Sequence, residues 1–227
     1  MAIDSRPVRR GSLLRRRPAT IWLRALCLAV SVLCLGIAEA ALAEDTSAAD
    51  LVGRLLAGGY VLVMRHASAP EAKPDTEHAD PDNVNRERQL DAAGRDSARA
   101  IGEAIRGLHI PVGEILTSPT YRAVETARLQ DLSNPVEIPA LGDGGQGMQA
   151  DTEGSRSAWL RERAGKAPPR ESNTLIVTQA PNIIGAFPKE AAGIAAGEML
   201  VLHPDGAGAA TVVARVKADD WQAMKPR

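Results

Sequence analysis

Tyr60-Val61-Leu62-Val63-Met64-Arg65-His66-Ala67 decides how this chain folds. The apolar run Tyr60 to Met64 is too brief for a helix and suits a strand buried on both faces. Gly58-Gly59 punctuates the chain just before it. Arg65 and His66 follow at once, so a guanidinium and an imidazole stand at the carboxyl end of a buried strand. Open α/β sheets keep their ligands at that edge. A guanidinium grips phosphate through two parallel hydrogen bonds. An imidazole beside it is a nucleophile that can attack phosphorus.

Outward from this run, strand and helix patterns alternate. Ala48 to Leu56 reads as a short amphipathic helix. Ser68 to Asn85 is a polar, proline-containing loop, either a lid or specificity element or a plain insertion. Asp91 is placed to cap a helix from Ala92 to about Leu108, with Ala98, Ile101, Ala104, Ile105 and Leu108 at three-four spacing, ended by Gly107 and Pro111. Val112 to Thr117 is a second strand. Ser118 is expected as N-cap and Pro119 as first helical residue of a helix running to about Leu129. Val136 to Ile138 is a third strand, and Ser155 to Ala164 a helix. Thr174 to Thr178 is a continuous apolar-rich run suited to a central strand, and Pro181 opens another helix. Met199 to His203 and Thr211 to Val216 make an edge hairpin around Pro204-Asp205-Gly206. This order predicts a three-layer α/β/α sandwich with a mostly parallel central sheet.

The first 43 residues have the grammar of a signal peptide. Seven arginines lead into an apolar core from Ala25 to Ile37, and Ala41-Leu42-Ala43 is an A-x-A cleavage site. Residues 44–227 are then one domain, periplasmic or secreted, with no stable membrane span after cleavage. Both cysteines, Cys27 and Cys34, fall in the signal, so the mature domain is expected to hold no disulfide and no thiolate metal site. It keeps 20 basic against 26 acidic side chains, a net charge of about −6. That balance argues against general nucleic-acid binding, which uses a basic face. Oligomeric state has no signature in the residues.

Two later segments extend the reading of Arg65-His66-Ala67. One is Arg88-Gln89-Leu90 with Gly94 beyond it. The other is Ser118-Pro119-Thr120-Tyr121-Arg122-Ala123 with Thr126-Ala127. In this order the three segments resemble the histidine phosphatase superfamily, the phosphoglycerate-mutase-like phosphatases. The resemblance spans about Leu51 to Val216. It implies a phosphohistidine on His66, phosphoryl oxygens held by Arg65 and Arg122, no metal and no cofactor. The substrate it implies is a small phosphorylated molecule or a phosphorylated envelope component. Arg88 either binds substrate or ties its loop down. Asp143, behind the third strand, matches the region where many members keep a general acid. A solvated loop carboxylate is the plainer reading of the same residue.

One position departs from the pattern. Thr178-Gln179-Ala180-Pro181-Asn182 carries Gln179 where the family has its second histidine. An amide donates a hydrogen bond but holds no positive charge and passes no proton. A slow phosphomonoesterase is therefore one expectation, with Gln179 still on the phosphate. A catalytically impaired pseudo-phosphatase that binds phosphorylated ligands is the other. His78 or His203 reaching the site is a further alternative. Asn182 is expected to cap its helix or meet the ligand.

Overall fold

The computed structural model describes residues 47–70, 88–142 and 154–224. Asp143, His78, the signal-like segment and most of the Ser68 to Asn85 loop lie outside the described residues. Helix α1 spans Ala48–Ala57, and the Ser47 hydroxyl accepts from the Asp50 N–H at its start. Strand β1 is Val61–Arg65, followed by α2 (Ala92–Gly107) and β2 (Val112–Thr117). Next come α3 (Tyr121–Gln130), a two-residue β3 (Val136–Glu137) and α4 (Ser155–Ala164). The chain closes with β4 (Asn173–Thr178), α5 (Ala180–Ala186), β5 (Met199–Pro204), β6 (Ala210–Val216) and α6 (Asp220–Ala223).

The six strands form one sheet in the order β3-β2-β4-β1-β5-β6. Its first four strands run parallel, and β5 and β6 add an antiparallel hairpin against β1. Alternation along β1 divides the core. Leu62 and Met64 pack with α1, α2, α3 and Trp221 on one face. Val61 and Val63 pack with Leu160 and Ala164 of α4 and Ile183 and Ala186 of α5 on the other. This is the expected α/β/α sandwich, with both faces covered as parallel strands require. Apolar surface withdrawn from water on two sides is what drives it.

Three local expectations need correction. Ser118 is not the cap of α3. The helix starts two residues later, with Thr120 as N-cap, and the Ser118 hydroxyl, shared between Gln179 and the Thr120 N–H, closes a turn before it. His109, at φ 57°, makes the left-handed turn after α2, while Gly107 stays helical. His203 lies beside Tyr60 at the amino end of β1, with ring centroids 5.1 Å apart, so a strand's length separates it from the site.

Gly94 explains the spacing in the Arg88-Gln89-Leu90 segment. A Cβ on it would collide with the backbone of Ser68. Its absence lets α2 dock against the loop that follows His66. Asp91 caps α2 through the Gly94 N–H at 2.6 Å and accepts from the Ser68 hydroxyl at 2.7 Å. Leu90 closes the small cluster of Ala67, Ala69 and Ala98 beneath that loop.

Candidate active site

Three strand ends converge at the carboxyl edge: Arg65-His66 after β1, Thr178-Gln179 after β4 and Thr117-Ser118 after β2. The backbone stitches them together. The His66 N–H donates to the Thr178 carbonyl, and the Ser118 N–H to the Val177 carbonyl. Helix α3 is anchored over them by Thr126, whose Oγ1 accepts from the Ala67 N–H at 3.1 Å and donates to the Arg122 carbonyl at 2.7 Å.

His66 is 3% exposed. Its Nδ1 lies 2.7 Å from the Ala67 carbonyl oxygen. A carbonyl only accepts, so Nδ1 carries the proton and Nε2 keeps its lone pair. Arg122 Nε donates to that lone pair at 3.2 Å. Burial pushes the His66 pKa down to about 4, and the charges of Arg122, Arg88 and Arg65 push the same way against the Ala67 bond. The ring is therefore a neutral, oriented base at ordinary pH. Its outward nitrogen faces a cation that prefers an anion as partner.

The sequence grouped these arginines, and the fold brings their charges onto His66. Arg122 is buried in the first turn of α3, at the positive end of the helix dipole, where an anion is favoured. Arg65 donates through Nη1 to the Ile194 carbonyl at 2.8 Å, and its Nε is buried without a hydrogen-bond partner among the described residues. Arg88 donates to the Ala69 carbonyl, so it ties down the loop while its charge still reaches His66.

Gln179 is 5% exposed and fully engaged. Its amide nitrogen donates to Ser118 Oγ and Thr120 Oγ1, each at 2.7 Å. Its oxygen accepts from Thr178 Oγ1 and Asn182 Nδ2, both at 3.0 Å. Asn182 also donates to the Leu141 carbonyl, so it is a buried cross-link and not a helix cap. Ser118 Oγ accepts from the Thr120 N–H as well and donates to Thr120 Oγ1. With two lone pairs per hydroxyl, this leaves the Thr120 hydroxyl hydrogen without an acceptor among the described residues. Thr120, Thr126 and Asn182 carry roles the sequence did not assign. The one visible signal was their position beside Ser118, Arg122 and Gln179.

No family model matches the chain, and no curated protein matches it in sequence. Shape does. SixA, a protein histidine phosphatase solved with tungstate, superposes with a TM-score of 0.51 at 20% identity, over 71% of this chain and 98% of that one. The chain has the histidine-phosphatase fold. SixA from Agrobacterium tumefaciens aligns with a TM-score of 0.49 at 16% identity over 70% of this chain and 97% of that one. Phosphoserine phosphatase from Entamoeba histolytica, with 3-phosphoglyceric acid, aligns at 0.42 and 14% identity over 69% and 95%. Within the histidine-phosphatase fold, the carboxyl edge that holds His66 is the ligand edge of an open sheet.

Proposed function

We propose that the chain is an exported phosphomonoesterase that works through a phosphohistidine on His66. The observation that carries this reading is the His66 ring itself, with Nδ1–H fixed on a carbonyl and a bare Nε2 facing Arg122. A phosphorylated substrate takes the place of that lone pair's present partner, and Arg122 turns to the phosphoryl oxygens. Nε2 then bonds to phosphorus as the ester P–O bond breaks. The departing alkoxide takes a proton, for which Asp143 is the sequence's candidate donor and solvent the alternative. Water next attacks phosphorus, the N–P bond breaks, inorganic phosphate leaves and one water proton passes to solvent. Arg65 and Arg122 balance the charge that develops on the phosphoryl oxygens. Gln179 acts through its neighbours. It orders the Ser118 and Thr120 hydroxyls in the turn between β2 and α3. Export rests on the signal-like residues 1–43.

SixA was solved with tungstate, a tetrahedral oxyanion like phosphate, which makes tungstate a suitable probe here. The test is hydrolysis of an aryl phosphate by the mature domain with chelator present, beside His66→Ala. Alkaline quenching preserves phosphohistidine for detection. Turnover and a phosphoenzyme, both lost in His66→Ala, are expected. Turnover that survives in His66→Ala overturns the mechanism.

The engaged Gln179 amide favours a second reading, a pseudo-phosphatase that binds phosphorylated ligands or partners in the cell envelope. Tungstate binding with neither turnover nor phosphoenzyme would establish that reading instead.

A further inference from the structure

The geometry points to Arg215 and Glu198 as positioning residues for Arg65, acting through the 190–198 loop. This inference rests on Arg65 being a phosphate ligand, as proposed above. Arg215 lies on β6, away from the three convergent strand ends. Its Nε and Nη2 donate to the two oxygens of Glu198 at 2.5 and 2.9 Å. Its Nη1 donates to the carbonyls of Glu190 and Ala192 at 3.1 and 2.8 Å. One guanidinium thus clamps both ends of the loop between α5 and β5. The Glu198 side chain is 3% exposed and also accepts from the Ala195 N–H at 2.7 Å.

The loop is stitched in turn to the catalytic strand end. The Gly197 N–H donates to the Arg65 and His66 carbonyls, and the Arg65 N–H to the Glu198 carbonyl. Between these ties, the Ile194 carbonyl takes the Arg65 Nη1 donor at 2.8 Å. The Ile194 side chain is itself buried in the core. A guanidinium anchored at one nitrogen presents its remaining N–H groups in a fixed plane, which is what bidentate phosphate binding needs. Arg65 Nε, buried and without a hydrogen-bond partner among the described residues, is such a group. Burial pushes the Glu198 carboxyl up, but Arg215 and the Ala195 N–H outweigh it and hold it below its ordinary value, so the clamp stays charged at neutral pH.

The experiment is a double-mutant cycle between Arg215→Met and Arg65→Met in the mature domain. It is read as kcat/KM for an aryl phosphate and as tungstate affinity, with thermal melting alongside. Small misplacements of a binding group cost up to about 100-fold. Arg215→Met is expected to lower kcat/KM and tungstate affinity about 10-fold, mostly through KM. In the Arg65→Met background it should have almost no further effect, because no guanidinium is left to aim. Equal losses in both backgrounds, or a lower Tm with unchanged kcat/KM, overturn the inference. Should Arg215→Met fail to fold, Glu198→Gln is put through the same cycle. If the wild type binds tungstate without turnover, the cycle is read on affinity alone. If the wild type does neither, the phosphate-site reading has failed, an outcome distinct from zero coupling.

Discussion

The carboxyl ends of β1 and β4 are neighbours in the sheet, with Arg65 in register with Thr178, yet they are built in opposite ways. After β1, His66 gives Nδ1–H to its own turn and its Nε2 lone pair meets only the hydrogen bond of the Arg122 cation. After β4, Gln179 makes four hydrogen bonds and closes on itself with Ser118, Thr120, Thr178 and Asn182. One end is poised for a ligand and the other is already satisfied. On the phosphohistidine reading proposed above, the nucleophile and the charge-balancing group are separable: His66 is the first, and Gln179 serves as scaffold in place of the second.

Removing the open end should have the largest effect. His66→Ala is expected to lower phosphatase turnover on the order of 10⁴-fold, as loss of a covalent nucleophile does. The same residue sets the pH response. Because the folded His66 pKa is about 4 against 6.5 for the free side chain, the acid limb of kcat/KM should fall near pH 4. Stability follows the same window. Between about pH 4 and 6.5 the unfolded chain holds a proton on His66 that the folded chain does not, so stability rises with pH through that range and is flat above it. The full difference is on the order of 3 kcal/mol. Urea unfolding at pH 4.5 and 7.5 measures it, and His66→Gln should remove that slope. An acid limb near 6.5 would contradict the buried, cation-facing ring.

Arg122→Met comes next. It removes the cation that faces Nε2, at an expected 10²- to 10³-fold loss, about 3–4 kcal/mol of transition-state stabilisation. It should also relax the His66 pKa upward, since the Arg122 charge lowers it. NMR titration of the ring reads that shift directly. An unmoved pKa would mean that the guanidinium does not press on the imidazole in solution.

Gln179→His sharpens the comparison from the closed end. An imidazole adds a chargeable donor but cannot supply two N–H groups and one carbonyl to the partners that Gln179 holds. Each buried group left without its partner costs about 1–3 kcal/mol. The expected outcome is opposed: turnover up about tenfold, Tm down. A variant that gains activity with no loss of stability would show that the network around Gln179 is not rigid.

How legible the site was follows the same division. Strand β1 and the three arginines were readable because local pattern and chain order set them: an apolar run, a strand-end Arg-His pair and a helix start. Helix α3 was readable in existence but not in its first residue. Ser118-Pro119 has cap chemistry, and only the long-range bond from Gln179 shows that the Ser118 hydroxyl is shared with another strand end. Gln179 was visible as a departure from the family pattern, but its partners come from β2, β4 and α5, and no spacing rule joins those. The clamp on Arg65 was illegible for the same reason, since Ile194 meets it from the loop before β5 and Arg215 reaches it only by holding that loop from β6. Ser118 and Asn182 were misread because each was judged against its sequence neighbours alone.

Thr126 offers the smallest and most local test, because it ties the open end to α3. Its hydroxyl accepts the Ala67 N–H, the first backbone donor after His66, and returns its hydrogen to the Arg122 carbonyl. Valine has nearly the same shape and no hydroxyl. Thr126→Val therefore leaves a buried N–H without an acceptor, at about 1–3 kcal/mol. In a domain of this size that is a fall in Tm of roughly 2–4 °C per kcal/mol. The turn that fixes the Ala67 carbonyl loosens with it, and this carbonyl sets the tautomer of His66. Activity should fall less than about tenfold, and Thr126→Ser should restore both readouts by returning the hydroxyl. If Thr126→Val loses stability but keeps full activity, the turn after β1 is held by the β4 and loop backbone bonds alone. The open end would then owe its geometry to the sheet and not to the helix above it.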